Sequence, residues 1–379
     1  MPIKLNPPWI GIAVPTFLIG FIGYSSHYFI LSNFASKGQQ WSFQFTLIMT
    51  WISYIMAIYT KPGNPPDEFT PGPRQWKNFC KKCKNFKPER THHCKSCKQC
   101  VLVMDHHCPW TMNCVGYQNF PHFMRFLIWV IITTLFLEYL LLKRIIMLWQ
   151  SRHSRIFVYK SELCLLTVNA PLNAFIWLTI SLLFARCIVN QGLSGMTQIE
   201  SWEQERIENL FYRKRLIPQL IENLREVFPE GSPMDVEGAT ELLVNRDVQL
   251  IDMVNFPYDR GFIKNLRFFM GPFYTWLIPW SVPTESGFTF QLNDLAMYDS
   301  SSPLEDRLMA LPWPPDRGFL KLDVETNCSS SNLTVGNTRG ETVLKKRLTE
   351  FQTDLGRVQW ENEWGETLSD FGVDIEAEN

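Results

Sequence analysis

CKKCKNFKPERTHHCKSCKQCVLVMDHHCPWTMNC, residues 80–114, holds seven of the chain's ten cysteines and decides how the rest is read. Cys80/Cys83 and Cys94/Cys97 are C-x-x-C pairs, whose two-residue spacer lets a tight turn aim both sulfurs at one metal. Cys100 and Cys114 follow at short range. With His107 and one of His92 and His93, these six thiols make two sets of four zinc ligands. Spacing alone leaves open which ligands share a metal, and which of the paired histidines takes part.

One thiol is left over. Cys108 ends the run Asp105-His106-His107-Cys108. Residues at i and i+2 of an extended segment face the same way, so His106 and Cys108 can share one side while His107 turns to a metal. Asp105 can then bond one nitrogen of His106, leaving the other to take the Cys108 proton. A thiol with a pKa near ~8.5 is only a few per cent ionised at neutral pH, and a nearby imidazolium raises that fraction. The competing reading makes Cys108 a redundant ninth ligand and Asp105 a solvated loop acid.

Working outward, the 379 residues are 46% hydrophobic with a formal charge of −1, and distribution matters more than either figure. Apolar runs at 9–31, 43–59, 123–142 and 163–189 are each near the ~17–25 residues that cross a bilayer. No cleavable signal is evident, since only Lys4 precedes the first run. Ten Lys and Arg lie in 61–122, against Lys37 alone between the first two runs. Positive charge marks the cytoplasmic side, so the cysteine-rich loop and both termini are expected there. Lys143, Arg144, Arg152, Arg155 and Lys160 pull the other way. The thiols side with the loop, because the cytosol keeps them reduced and available for zinc.

The expected fold is a polytopic α-helical membrane protein. Spans one and two fill 1–60, the zinc domain 61–122, spans three and four 123–190, a region packing on the bundle 191–285, and a largely mobile tail 286–379. Sequons at Asn327 and Asn332 fall in that tail and read as chance in a cytosolic segment. Because Phe123 opens the third span soon after Cys108, the thiol lies near the headgroup layer. There a sixteen-carbon chain can be buried at ~0.8 kcal/mol per CH₂, or about 11 kcal/mol in all. Arg74, Lys77, Lys81, Lys82 and Lys84 are candidates to meet a phosphate-rich carrier such as coenzyme A.

The stretch Cys80 to Phe120 resembles the cysteine-rich domain of the DHHC family of membrane protein S-acyltransferases. The matching residues are Cys-x₂-Cys, His93-Cys94-x₂-Cys97-x₂-Cys100, Asp105-His106-His107-Cys108-Pro109-Trp110 and Asn113-Cys114-Val115-Gly116. The resemblance implies two structural Zn²⁺ sets, Cys80, Cys83, His93, Cys100 and Cys94, Cys97, His107, Cys114. It makes Cys108 the acyl-accepting nucleophile, His106 its base and Asp105 the orienting acid. It further implies palmitoyl-CoA as donor and membrane proteins with juxtamembrane cysteines as clients. Thr60-Lys61-Pro62-Gly63 and Thr197-Gln198-Ile199-Glu200 resemble family motifs, with Lys61 and Gln198 as departures. Asn265 to Gly271 resembles the family's C-terminal motif, and the aromatic run beyond it, too broken to span, is expected to pack against the cytosolic helix ends.

The tail, including Leu311-Pro312-Trp313-Pro314-Pro315-Asp316, Trp364-Gly365-Glu366 and Asp370-Phe371-Gly372, is similar to that of a fungal endoplasmic-reticulum member. That similarity implies an endoplasmic reticulum membrane location and clients such as chitin synthase. No dilysine or KDEL-like signal stands at Glu378-Asn379, so the compartment rests on resemblance. A non-catalytic membrane-tethered zinc module that binds or chaperones clients is the alternative. A RING-like ubiquitin ligase is disfavoured, because Asp105-His106 is spent on something other than metal. Glu138, inside span three, is expected near its far end beside Lys143 and Arg144, with a polar contact inside the bundle as the alternative. Arg125 and Arg186 are expected to snorkel at span ends. Cys164 and Cys187 read as core or lipid-facing, and Cys328 has no assigned role.

Overall fold

The computed structural model describes residues 9–153, 158–229, 249–283, 285–317, 357 and 360–378. Arg155, Cys328 and both sequons lie outside them. Four helices are long and apolar enough to cross a membrane: α1 Ile10–Phe34, α2 Lys37–Tyr59, α3 Phe120–Gln150 and α4 Lys160–Leu193. Ser36 starts α2 with a reciprocal cap, its hydroxyl accepting from the Gln39 N–H while the Gln39 side chain takes the Ser36 N–H. Away from the zinc domain the bundle closes on Ile30, Leu31, Phe43, Leu137 and Leu140, all essentially inaccessible.

The charged groups inside the bundle find partners, as a low-dielectric setting demands. Glu138 accepts from Asn173 Nδ2 at 2.8 Å within the bundle, so it does not join Lys143 and Arg144. Arg144 instead pairs with the buried Glu162 at 2.6 Å, and Glu162 also accepts from Asn33, tying α1, α3 and α4 together. Arg125 does not snorkel. It is fully buried and donates to the Ser281 carbonyl at 2.5 Å. Cys187 is buried in the core, whereas Cys164 is exposed on α4.

Between α2 and α3 the chain makes three short antiparallel hairpins: β1 Phe79–Cys80 with β2 Asn85–Phe86, β3 His92–Cys94 with β4 Gln99–Val101, and β5 His106–Cys108 with β6 Asn113–Val115. They are welded to the span ends by side-chain amides. Asn113 Nδ2 donates to the Thr60 carbonyl at 2.8 Å, and Asn119 Nδ2 donates to those of Thr60 and Cys114. Gly116 must be glycine, because a Cβ there would come within 2.5 Å of Val101 and 2.9 Å of the Pro62 carbonyl. Lys61 is exposed. The Pro62 and Gly63 carbonyls make the contacts, accepting from the Gln118 and Leu102 N–H groups.

Beyond α4, α5 Gln198–Tyr212, α6 Leu216–Val227 and α8 Leu304–Met309 build a second core around Leu216, Leu220, Met253, Leu308 and Trp313, while α7 Phe262–Met270 packs Phe269 and Met270 against the start of α3. The tail expectation needs correcting at both ends. Trp76 Nε1 donates to the Pro312 and Pro314 carbonyls, and Asp316 pairs with the buried Arg206 at 2.7 Å. Residues 360–378, ending in α9 Ile375–Glu378, lie across the zinc domain. Their Trp360, Leu368, Phe371 and Val373 pack on Met104, Ile199 and Trp202. Backbone bonds from His107 to Phe371, Lys95 to Gly372 and Asp374 to His93 join this strap to the hairpins. Polar composition hid a few large apolar residues that find a surface only in three dimensions.

Candidate active site

The hairpins gather metal ligands from strands that are adjacent in space. His93 faces Cys100 across β3–β4, and His107 faces Cys114 across β5–β6. Cys80, Cys83, His93 and Cys100 bring their ligand atoms within 4.8 Å of one another, and so do Cys94, Cys97, His107 and Cys114. Zn–S near 2.3 Å and Zn–N near 2.0–2.1 Å give tetrahedral edges of about 3.5–3.8 Å. The first set has edges of 3.3 Å (Cys83–His93), 3.4 Å (Cys80–His93) and 3.7 Å (Cys83–Cys100). The second has 3.4 Å (Cys97–His107), 3.4 Å (Cys97–Cys114) and 3.7 Å (Cys94–His107). Donor type, number and spacing therefore suit two closed zinc sites, which leave no open position for substrate and serve structure. The geometry selects His93 over His92.

Cys108 belongs to neither set, and a repeat in the chain shows why. HHCKSCKQCV (92–101) and HHCPWTMNCV (106–115) fold as hairpins in the same register, His92 opposite Val101 and His106 opposite Val115. In the first copy the Cys97 N–H points at the Cys94 sulfur at 3.3 Å, as the Cys83 N–H does at Cys80. In the second copy Cys108 takes the place of Cys94 and Thr111 that of Cys97. The Thr111 N–H and hydroxyl face the Cys108 sulfur. Among the described residues no further hairpin completes a third metal site, since α3 begins at Phe120. The repeat was visible in the sequence and is the signal that points to Thr111.

Cys108 is 4% exposed. His106 Nδ1 lies 2.8 Å from Asp105 Oδ2, which leaves the far side of the ring in hydrogen-bonding contact with Cys108. Burial disfavours charge on the imidazole, but Asp105 and Cys108 outweigh it and push its pKa up to about 10. Burial also opposes the Cys108 thiolate, yet His106 and then Thr111 bring its pKa below the ordinary thiol value. Phe123 packs edge-on against the His106 ring at 5.6 Å.

Asp105 is itself held on its other oxygen. Gln191 Nε2 donates at 2.9 Å and the Gln198 backbone N–H at 2.7 Å. Gln191 sits in a π-type turn ending α4, a widening that swings its side chain toward the carboxylate. The backbone of Gln198 makes this bond, so it does not depend on the side chain that departs from the family motif, which instead accepts from Arg186 and Asn190. Thr197 and Glu200 form a capping box at the start of α5, and Glu200 grips Arg90 through two bonds of 2.6 Å, both groups nearly inaccessible. Sequence reasoning missed Gln191, Arg90 and also Tyr54, whose hydroxyl donates to the Trp110 carbonyl at 2.8 Å.

Two spaces meet beside the thiol, which itself lines the first of them. On the membrane side an apolar cavity of about 550 Å³ runs from Cys108 between the helices, past Leu18, Leu47 and Val130 to Leu137. On the other side a wider groove of about 840 Å³, with Lys95, Arg186 and Asp370 on its rim, opens between α4 and the strap. His106, Pro109, Trp110 and Leu183 line both. The arrangement can hold an apolar tail on one side of a sulfur nucleophile and a polar carrier on the other. Of the basic residues expected at such a carrier, Lys82 is instead paired with Asp374 at 2.5 Å, and Arg74 stacks over Phe228 at 5.3 Å.

Comparison with known proteins agrees with this geometry. Residues 74–205 match the family model described as DHHC palmitoyltransferase. Palmitoyltransferase PFA4 of Saccharomyces cerevisiae is 50% identical over the whole of both chains. That of Kluyveromyces lactis is 51% identical over the same extent. The Aspergillus fumigatus protein of that name is 30% identical over 99% of this chain and 95% of its own. With the cysteine motif, the twin metal clusters and the four apolar helices all in place, the chain belongs to the DHHC palmitoyltransferase family.

Proposed function

We propose that Cys108 carries a fatty acyl group from acyl-coenzyme A to cysteines of membrane proteins in two thioester exchanges. The chain is a multi-pass protein S-palmitoyltransferase, and the reading concerns how its residues perform that reaction. The Cys108 sulfur, deprotonated by His106, attacks the thioester carbonyl. The carbon–sulfur bond to coenzyme A breaks, and the departing thiolate takes the proton held on His106. A client thiol then gives its proton to His106 and attacks the acyl-cysteine, which frees Cys108. Both steps exchange one thioester for another, so neither climbs a large thermodynamic hill, and the protein's task is activation and orientation. Asp105 fixes the tautomer of His106 and compensates its charge. Bound at the two clusters, zinc supplies rigidity to the hairpins that present Cys108.

The observation that carries this reading is a buried thiol, outside both metal clusters, that lines an apolar cavity while its neighbours His106 and Pro109 also line a polar groove. The basic residues of 61–122 favour a cytosolic zinc domain and, with four spans, cytosolic termini. Residence in the endoplasmic reticulum, and clients that include chitin synthase, rest on likeness to the fungal relatives. The test is mass spectrometry of the protein after incubation with palmitoyl-CoA. A hydroxylamine-labile adduct on Cys108, absent from Cys108→Ser with zinc content unchanged, is expected. Zinc-loaded protein that takes up no acyl group would instead mark a client-binding module without catalysis.

A further inference from the structure

Gly271 to Val282 follows α7 and runs alongside the first turns of α3 with irregular backbone. Three side chains on one face of α3 hold it. His122 Nδ1 donates to the Pro279 carbonyl at 2.7 Å, Arg125 Nη1 to that of Ser281 at 2.5 Å, and Trp129 Nε1 to that of Leu277 at 3.3 Å. Within the segment, Trp276 Nε1 takes the Gly271 carbonyl, Thr275 that of Pro272, Ile278 that of Thr275 and Ser281 that of Ile278. Pro272 and Pro279 have no N–H to satisfy. Most carbonyls of the segment are thereby paired, as non-helical chain packed against a span requires.

The outward face is apolar. Phe273, Tyr274, Leu277, Trp280 and Val282 are each between 51% and 75% exposed. Trp129, which caps Leu277, lies about 14 Å along α3 from its start at Phe120. It also meets edge-on Phe45, a side chain of α2 that is 57% exposed on the bundle surface. The aromatic face thus continues the lipid-facing surface of two spans. His122 and Arg125 lie within the first two turns of α3, next to the zinc domain, which sets the segment toward that headgroup boundary rather than the bilayer midplane.

We infer that residues 272–282 are a wedge seated in the leaflet on the zinc-domain side, with these five side chains among phospholipid acyl chains. The wedge gives α7 a membrane foothold. Asn265 of that helix donates to the Gly192 carbonyl at the end of α4, one residue beyond Gln191, so the foothold and the active site share a frame. It also explains an arginine and a histidine inside a span: they hold the wedge's carbonyls.

The experiment places benzoylphenylalanine at Phe273 and at Trp280 in the full chain, reconstituted one copy per phosphatidylcholine nanodisc. Phe175, exposed on α4, is the lipid-facing reference, and Tyr212, exposed on α5, the aqueous one. After illumination, intact mass should show phospholipid adducts at 273 and 280 comparable to those at 175, and none at 212. Reaction at 175 with none at 273 and 280 would overturn the proposal, as would cross-links in liposomes that join two chains instead of chain and lipid. Lipids brominated on the acyl chain give a second reading. Trp280→Phe should reduce the fraction of tryptophan fluorescence they quench, and an unchanged fraction counts against the wedge.

Discussion

Gln191→Leu tests whether Asp105 works through its orientation of His106. The substitution nearly conserves volume and removes one hydrogen bond, that from Gln191 Nε2 to Asp105 Oδ1 at 2.9 Å. A bond to a buried carboxylate is worth ~1.5–3 kcal/mol. The Gln198 N–H still holds the same oxygen at 2.7 Å, so the lower part of that range applies, about 1.5–2 kcal/mol. Carried fully into the barrier, this slows acylation about 10- to 30-fold. Single-turnover acylation of Cys108 by palmitoyl-CoA, followed by intact mass, measures it, with zinc content determined on the same sample. Gln191 does not line the apolar cavity, so binding of the acyl chain should be unchanged. Gln191→Glu sets a second carboxylate beside Asp105 and should be slower still. A change under about twofold with zinc retained would refute the orienting role. A slow variant that has also lost zinc would recast Gln191 as structural.

Other substitutions probe the frame. Glu200→Ala leaves Arg90 buried among Phe256, Tyr258 and Phe269 without its anion, and should cost ~3–5 kcal/mol, read as a lowered midpoint of thermal unfolding in detergent. Cys114→Ser breaks the second cluster and should lower bound zinc from two per chain to one by elemental analysis, with loss of Cys108 acylation. Ending the chain after residue 356 removes three backbone hydrogen bonds from the hairpins at ~1 kcal/mol each, and should speed zinc loss to a chelator at least about 10-fold. An unchanged rate would mean that the strap only covers the domain.

Much of the site lay within one short stretch and was legible there. Local chain geometry dictates it: a C-x-x-C turn must aim its sulfurs together, and i, i+2 residues of a strand must share a face. Four apolar runs fixed the bundle because hydrocarbon tolerates little else. What the chain order concealed were contacts between distant segments. Arg125 has the position of a snorkelling side chain along the chain, yet folding sets the Ser281 carbonyl beside it. The acidic, serine-rich tail gave no sign that Phe371 and Val373 have a docking surface on the zinc hairpins. Gln191 and Tyr54 look like ordinary span residues, and acquire meaning only because folding brings Asp105 and Trp110 to them. Sequence by itself determined the chemistry and the number of spans, since both depend on residue type and near neighbours. Tertiary structure alone decided what steadies the Asp105 carboxylate, what packs on the zinc hairpins and where the apolar cavity runs. Those depend on distances between segments that spacing along the chain does not specify.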